Sequence, residues 1–100
     1  MPMNRNYYLD FTADLQRLIN ALIRNNNKTA EVFFLHADEI YKNNLKPSIN
    51  PAIFPPHLQT LWEQLSITTI SKNDLQKKQF ADKILTISTI IFSKSLYAIN

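Results

Sequence analysis

The sequence predicts an all-α protein, an antiparallel four-helix bundle with a long C-terminal helix, forming a single domain over residues 1–100. Three observations carry this reading. Apolar residues recur at helical spacing in four separate segments. Polar or proline-rich breaks divide those segments. The chain has no glycine, whereas Asn occurs eleven times and stands where glycine would punctuate helices.

The first helix is expected over residues 6–24. At about 100° per residue, Tyr8, Phe11, Leu15, Leu18, Ile19, Leu22 and Ile23 share one face. Asp10, Asp14, Arg17, Asn20 and Arg24 fall on the other, which reads as a solvated charge cluster. The cluster Asn25–Asn26–Asn27 then ends this helix and caps the next, with Asn27 as the expected cap. The second helix is expected over residues 28–44. Its core stripe is Ala30, Phe33, Ala37, Ile40 and Tyr41, with Phe34 beside them, and Asp38 and Lys42 make a favourable pair one turn apart. Val32 and Leu35 lie off that stripe and require cover from another segment.

Four of the five prolines fall between Pro47 and Pro56 and mark one stiff connection. Pro55–Pro56 opens a third helix, because proline is tolerated in a first turn. Leu58, Leu61, Trp62 and Leu65 form its narrow stripe, and the β-branched stretch SITTIS is expected to fray or bend. Ser71 is the expected cap of the fourth helix, with Asp74 completing a shortened capping box. Ile70 and Leu75 would form a hydrophobic staple. That helix runs to about Ile99. Phe80, Ala81, Ile84, Leu85, Ile87, Ile91, Phe92, Leu96 and Ala98 spread over half its circumference, which implies two neighbours. The segment ILTISTIIF has strand propensity, but its one-sided wheel and three helical neighbours favour helix. The core is therefore expected to gather Leu15, Leu18, Leu22, Phe33, Ile40, Leu61, Leu65, Ile84, Ile87 and Ile91.

Composition excludes more than it offers. With no Cys there is no disulfide or thiolate chemistry, and with no Gly there is no glycine-rich phosphate loop or nucleophile elbow. His36 and His57 supply too few converging ligands for zinc; His36 reads as a partly buried structural histidine. The serines and threonines have no His and acid partners in a recognisable arrangement. The chain is expected to be a non-enzyme with no cofactor and no metal.

The net charge is +3, and the whole excess lies beyond residue 45, where six Lys stand against three acids. No basic run exceeds Lys77–Lys78, so a nucleic-acid surface is disfavoured. The N-terminus MPMNRNYYLDF lacks the apolar core of a signal peptide, and the most apolar stretch, residues 84–93, is half the length of a membrane span. The expected location is cytoplasmic. On the fourth helix, Lys83, Thr86, Ile90, Lys94 and Tyr97 follow helical spacing outside the broad apolar arc. A strip that mixes cationic, aliphatic and aromatic groups has the composition of a partner-binding face, and Lys83, Ile90, Lys94 and Tyr97 are its candidate residues.

The segment LWEQLSITTISKNDLQKKQFADKILTIS, residues 61–88, resembles the immunity proteins that protect bacteria from their own pediocin-like (class IIa) bacteriocins. The likeness lies in a third helix, a polar turn, and a fourth helix opened by an acid and a Gln and followed by spaced leucine and isoleucine. It implies a cytosolic four-helix bundle that blocks the pore formed when a bacteriocin engages a membrane permease, with specificity in the C-terminal half. Peripheral membrane contact would accompany such a role. Two features depart from the family pattern. The glycines common near its fourth helix are missing, and almost nothing follows Tyr97, so no residue role is carried over. The alternative expectation is a small helical adaptor or regulatory subunit that binds another protein.

Overall fold

In the computed structural model, which describes residues 6–98, there are four α-helices: α1 (Tyr7–Ile23), α2 (Asn27–Ile40), α3 (Pro56–Gln64) and α4 (Asp74–Ala98). No strand occurs among the described residues, so the fold is all-α. Side chains are described as far as Leu96; those of Tyr97 and Ala98, and the whole of Ile99, lie outside the described residues.

Asn6 caps α1, its Oδ1 accepting from the N–H groups of Tyr8 at 3.0 Å and Leu9 at 3.2 Å. At the other end Asn25 takes φ 57, the left-handed conformation that glycine usually supplies. Its N–H reaches the Leu22 carbonyl, and that of Asn26 reaches the Ala21 carbonyl at 2.9 Å, which completes a Schellman motif. The cap of α2 is Asn26, not Asn27: its Oδ1 accepts from Thr29 N–H at 3.2 Å. The α-helical part of α2 also stops at Ile40. The chain widens into a π-helical turn over Tyr41–Leu45 and then a 3₁₀ turn over Lys46–Ser48.

Helix α1 is the centre of the molecule, packed on α2 along one flank and on α4 along the other. Helices α1 and α4 run antiparallel, since Leu22 shares a groove with Ala81 and Leu9 shares one with Phe92. Along α1, Phe11, Leu15, Leu18, Ile19 and Leu22 are buried as expected, but Ile23 is 74% exposed. Ile23 is the last residue of α1 and lines an open groove beside α4. Of the expected core, Leu15, Leu18, Leu22, Ile40, Ile84, Ile87 and Ile91 are buried in one cluster. Phe33, Leu61 and Leu65 pack half-buried against it.

The proline-rich connection contributes to the core as well as spanning it. Ile53 and Phe54 are buried, and the Phe54 ring lies 5.7 Å from Phe11 and 5.5 Å from Tyr41. The short α3 then delivers Trp62, whose ring meets Phe11 edge-on at 5.0 Å and stacks on Phe34 at 5.1 Å. After α3 the SITTIS segment bends as expected, into a 3₁₀ turn over Ile67–Ser71 that buries Ile70.

The start of α4 differs from the sequence expectation. Ser71 ends the 3₁₀ turn, and Asn73 caps the helix by accepting from Gln76 N–H at 2.9 Å. Moving the cap two residues on also undoes the staple: Ile70 belongs to the core while Leu75 is 67% exposed. With 25 residues, α4 is about 37 Å long at 1.5 Å per residue. It sets the long axis of a molecule measuring 45 × 28 × 21 Å.

Candidate interaction groove between α1 and α4

The fourth helix presents three kinds of surface. Phe80, Ile84, Ile87, Ile91 and Ser95 are buried and repeat every three or four residues, which is the stripe a helix uses against a single neighbour. On one side of this stripe lie the residues singled out from the sequence. Lys83 and Lys94 are exposed there. Thr86 turns its hydroxyl back onto the Asp82 carbonyl at 3.0 Å. Ile90 is half-buried and packed on the core, and the Tyr97 side chain lies outside the described residues. The structure thus places the two cations on one strip but gives Ile90 mostly to the interior.

The other side of the stripe is more apolar and more open. Leu85, Phe92 and Leu96 are each nearly half exposed, at 47%, 48% and 47%. Sequence periodicity assigned all three to a face with two neighbours, and α4 has a full-length neighbour only in α1. The short α3 meets α4 on the opposite flank, beside Gln79 and Lys83.

This side borders α1, and two grooves open along the seam. The first, about 420 Å³, has Ile19, Leu22 and Ile23 on one wall and Ala81 and Leu85 on the other. Lys77 and Lys78 line the same groove, and the Lys77 ammonium is fixed by Asn27 Oδ1 at 2.7 Å and Asn25 Oδ1 at 3.2 Å. The second, about 510 Å³, runs between Leu9, Ala13 and Gln16 of α1 and Ser88 and Phe92 of α4. Together they give an apolar strip with a pinned cation at one end.

Three polar clusters lie elsewhere and serve the packing. The Asp14 side chain is 2% exposed, although the wheel put it on the solvated face beside half-buried Asp10. It accepts from Arg17 Nη1 at 3.0 Å and is bonded to His36 Nδ1. His36 is 57% exposed, less buried than expected, and ties α2 to α1 through this contact. In the second cluster Asp38 accepts from Trp62 Nε1 at 3.0 Å and pairs with Lys42 at 2.8 Å. In the third the Tyr41 hydroxyl donates to Glu63 Oε2 at 2.5 Å, with the Lys46 ammonium 3.3 Å from the same oxygen.

These contacts shift the groups involved. Burial, then the Glu63 carboxylate, pushes the Tyr41 phenol well above its ordinary value. The Tyr41 hydrogen bond, then Lys46, holds Glu63 below the usual carboxylate range. Each cluster is internally satisfied and clasps one helix to another. No group of three His, Cys, Asp or Glu side chains able to hold a metal occurs among the described residues. His57 is exposed at the start of α3. None of the described helices is long and apolar enough to cross a membrane.

No family model, curated protein or solved structure matches this chain.

Proposed function

We propose that this chain is a non-enzymatic binding module that docks another protein along the α1/α4 seam. One observation carries the reading: three large exposed side chains of α4, Leu85, Phe92 and Leu96, fall on one face, and Leu85 and Phe92 line grooves shared with α1, the first beside the exposed Ile23. Scattered surface leucines need no explanation, but apolar side chains collected beside two grooves on one seam mark an interaction site. The polar clusters support the non-enzymatic part, because their members are bound to one another across helix contacts.

The cellular role we propose is bacteriocin immunity, which rests on the resemblance of residues 61–88. The partner is then a membrane permease with bound bacteriocin, met from the cytoplasmic side, and Lys83 and Lys94 face anionic headgroups on the neighbouring strip of α4. An adaptor or regulatory subunit that binds a different protein would use the same seam; nucleic acid fits the apolar grooves poorly.

Survival of a bacteriocin-sensitive strain expressing the chain, scored across a bacteriocin panel, tests both parts. The native chain is expected to protect. Leu85→Ser with Phe92→Ser is expected to abolish protection while the far-ultraviolet circular dichroism spectrum stays unchanged. A native chain that gives no survival advantage against any peptide removes the immunity role. A double variant that protects fully removes the seam as its working surface.

A further inference from the structure

The outer face of α2 carries a second stripe that the fold does not use. Lys28, Val32, Leu35 and Glu39 follow one another at intervals of four, three and four residues, the spacing of a heptad seam. Val32 and Leu35 are 58% and 56% exposed, and no described segment covers them. Lys28 and Glu39 are exposed and make no ion pair among the described residues.

The stripe is symmetric about its own midpoint. Val32 and Leu35 are centred on the point between residues 33 and 34, and so are Lys28 and Glu39. A second α2 laid antiparallel across this point sets Val32 against Leu35 of the other copy, twice. It also sets Lys28 against the other copy's Glu39, twice. We propose that two copies of this chain associate through α2 in this antiparallel register, with an apolar centre and an ion pair at each end.

Three arguments favour a second copy over an unrelated partner. A two-fold axis requires each patch to complement itself, and this stripe does so at both its apolar and its charged positions. Parallel pairing would set Lys28 against Lys28 and Glu39 against Glu39, and a one-heptad slip would place Leu35 against Glu39, so the stated register is selected. The charge at the start of α2 is also misplaced for an isolated helix. Lys28 sits in the first turn of α2, which has no acidic residue, and so opposes the helix dipole. An antiparallel copy brings the Glu39 carboxylate to that first turn and removes the misfit.

The contact is small, two apolar side chains and two charges from each copy, so the association belongs to the weak, transient class. Sedimentation equilibrium from about 10 μM to about 1 mM protein at low salt covers that range. The native chain is expected to shift from monomer to dimer. Lys28→Glu alone and Glu39→Lys alone are each expected to lose the dimer, because each creates like-charge pairs at both ends. An equimolar mixture of the two variants is expected to recover it as a heterodimer, since every 28–39 contact is then opposite in sign. Circular dichroism confirms that each variant keeps its helices, and the mixture itself shows that both are folded. A native chain that stays monomeric up to 1 mM overturns the proposal. Dimers that ignore the single swaps, or single swaps that the mixture does not rescue, overturn it equally.

Discussion

Asp14 offers an asymmetric test of how this bundle is built. Its side chain is 2% exposed, whereas its partners Arg17 and His36 are 58% and 57% exposed. Removing the carboxylate therefore frees two side chains that water can take up again. Removing the partners strands a charge that water cannot easily reach. Breaking a buried pair from one side typically costs about 3–5 kcal/mol, while an apolar replacement is often near neutral. Loss of Arg17 and His36 opens some space for water, so the lower end applies, about 3 kcal/mol for Arg17→Ala with His36→Ala. Arg17 also lies 5.9 Å over the Phe33 ring, a contact worth about 0.5 kcal/mol at an exposed site. Asp14→Leu keeps that contact and is expected to cost less than about 1 kcal/mol. Urea unfolding at neutral pH, followed through the single Trp62, measures both, and equal m-values would confirm that the comparison is between native states. If Asp14→Leu proves as costly as the double variant, the carboxylate contributes net stability and the desolvation argument fails.

Two further outcomes follow from the helix ends and the tyrosine clasp. Asn73→Ala should lower stability by about 1 kcal/mol and Ser71→Ala by a few tenths at most, because Asn73 holds the Gln76 N–H; equal losses in thermal unfolding would return the cap to Ser71. Tyr41 keeps its proton in the folded state above the pH near 10 at which an unfolded tyrosine ionises. The native state then binds more protons than the unfolded one, so its contribution is complete below about pH 10 and falls as pH rises further. Tyr41→Phe should flatten that alkaline decline in the urea midpoint between about pH 9 and about pH 11, and an unchanged slope would refute the assignment.

Helix identity is legible in the sequence wherever apolar residues repeat at helical spacing. The a/d-like stripes of α1 and α4 appear in the order of their residues, and so does the Asn25 turn, since only a few residue types accept a positive φ. Legibility failed where a position depends on a neighbour's length or direction. The breadth of the apolar arc on α4 implies two partners, yet α1 alone borders that flank and leaves Leu85, Phe92 and Leu96 half exposed. Asp14 looked solvated because a wheel shows one helix, and only the approach of α2 encloses it. Phe54 looked like connection because prolines surround it, and the ring still fills the space beside Phe11 and Tyr41. The cap of α4 does have a sequence signal: Asn73 followed three residues later by Gln76 has the form of a capping box, two residues beyond Ser71.

The apolar surfaces left uncovered differ in pattern as well as in position. Val32 and Leu35 lie on α2, whereas Leu85, Phe92 and Leu96 lie on α4 beside α1, and the two sets share no residue. The α2 stripe is short, charged at both ends and symmetric about its midpoint, which suits a contact with itself. The α1/α4 seam is longer, has walls of different composition and ends in a fixed lysine, which suits a partner of another kind. A dimer formed through α2 would therefore leave both seams open and carry two docking sites on one particle. Simultaneous engagement of two partner sites raises overall affinity through effective concentration without any new contact. Charge swaps at residues 28 and 39 should then weaken binding to a multivalent or membrane-clustered partner while leaving the affinity for a single isolated site unchanged.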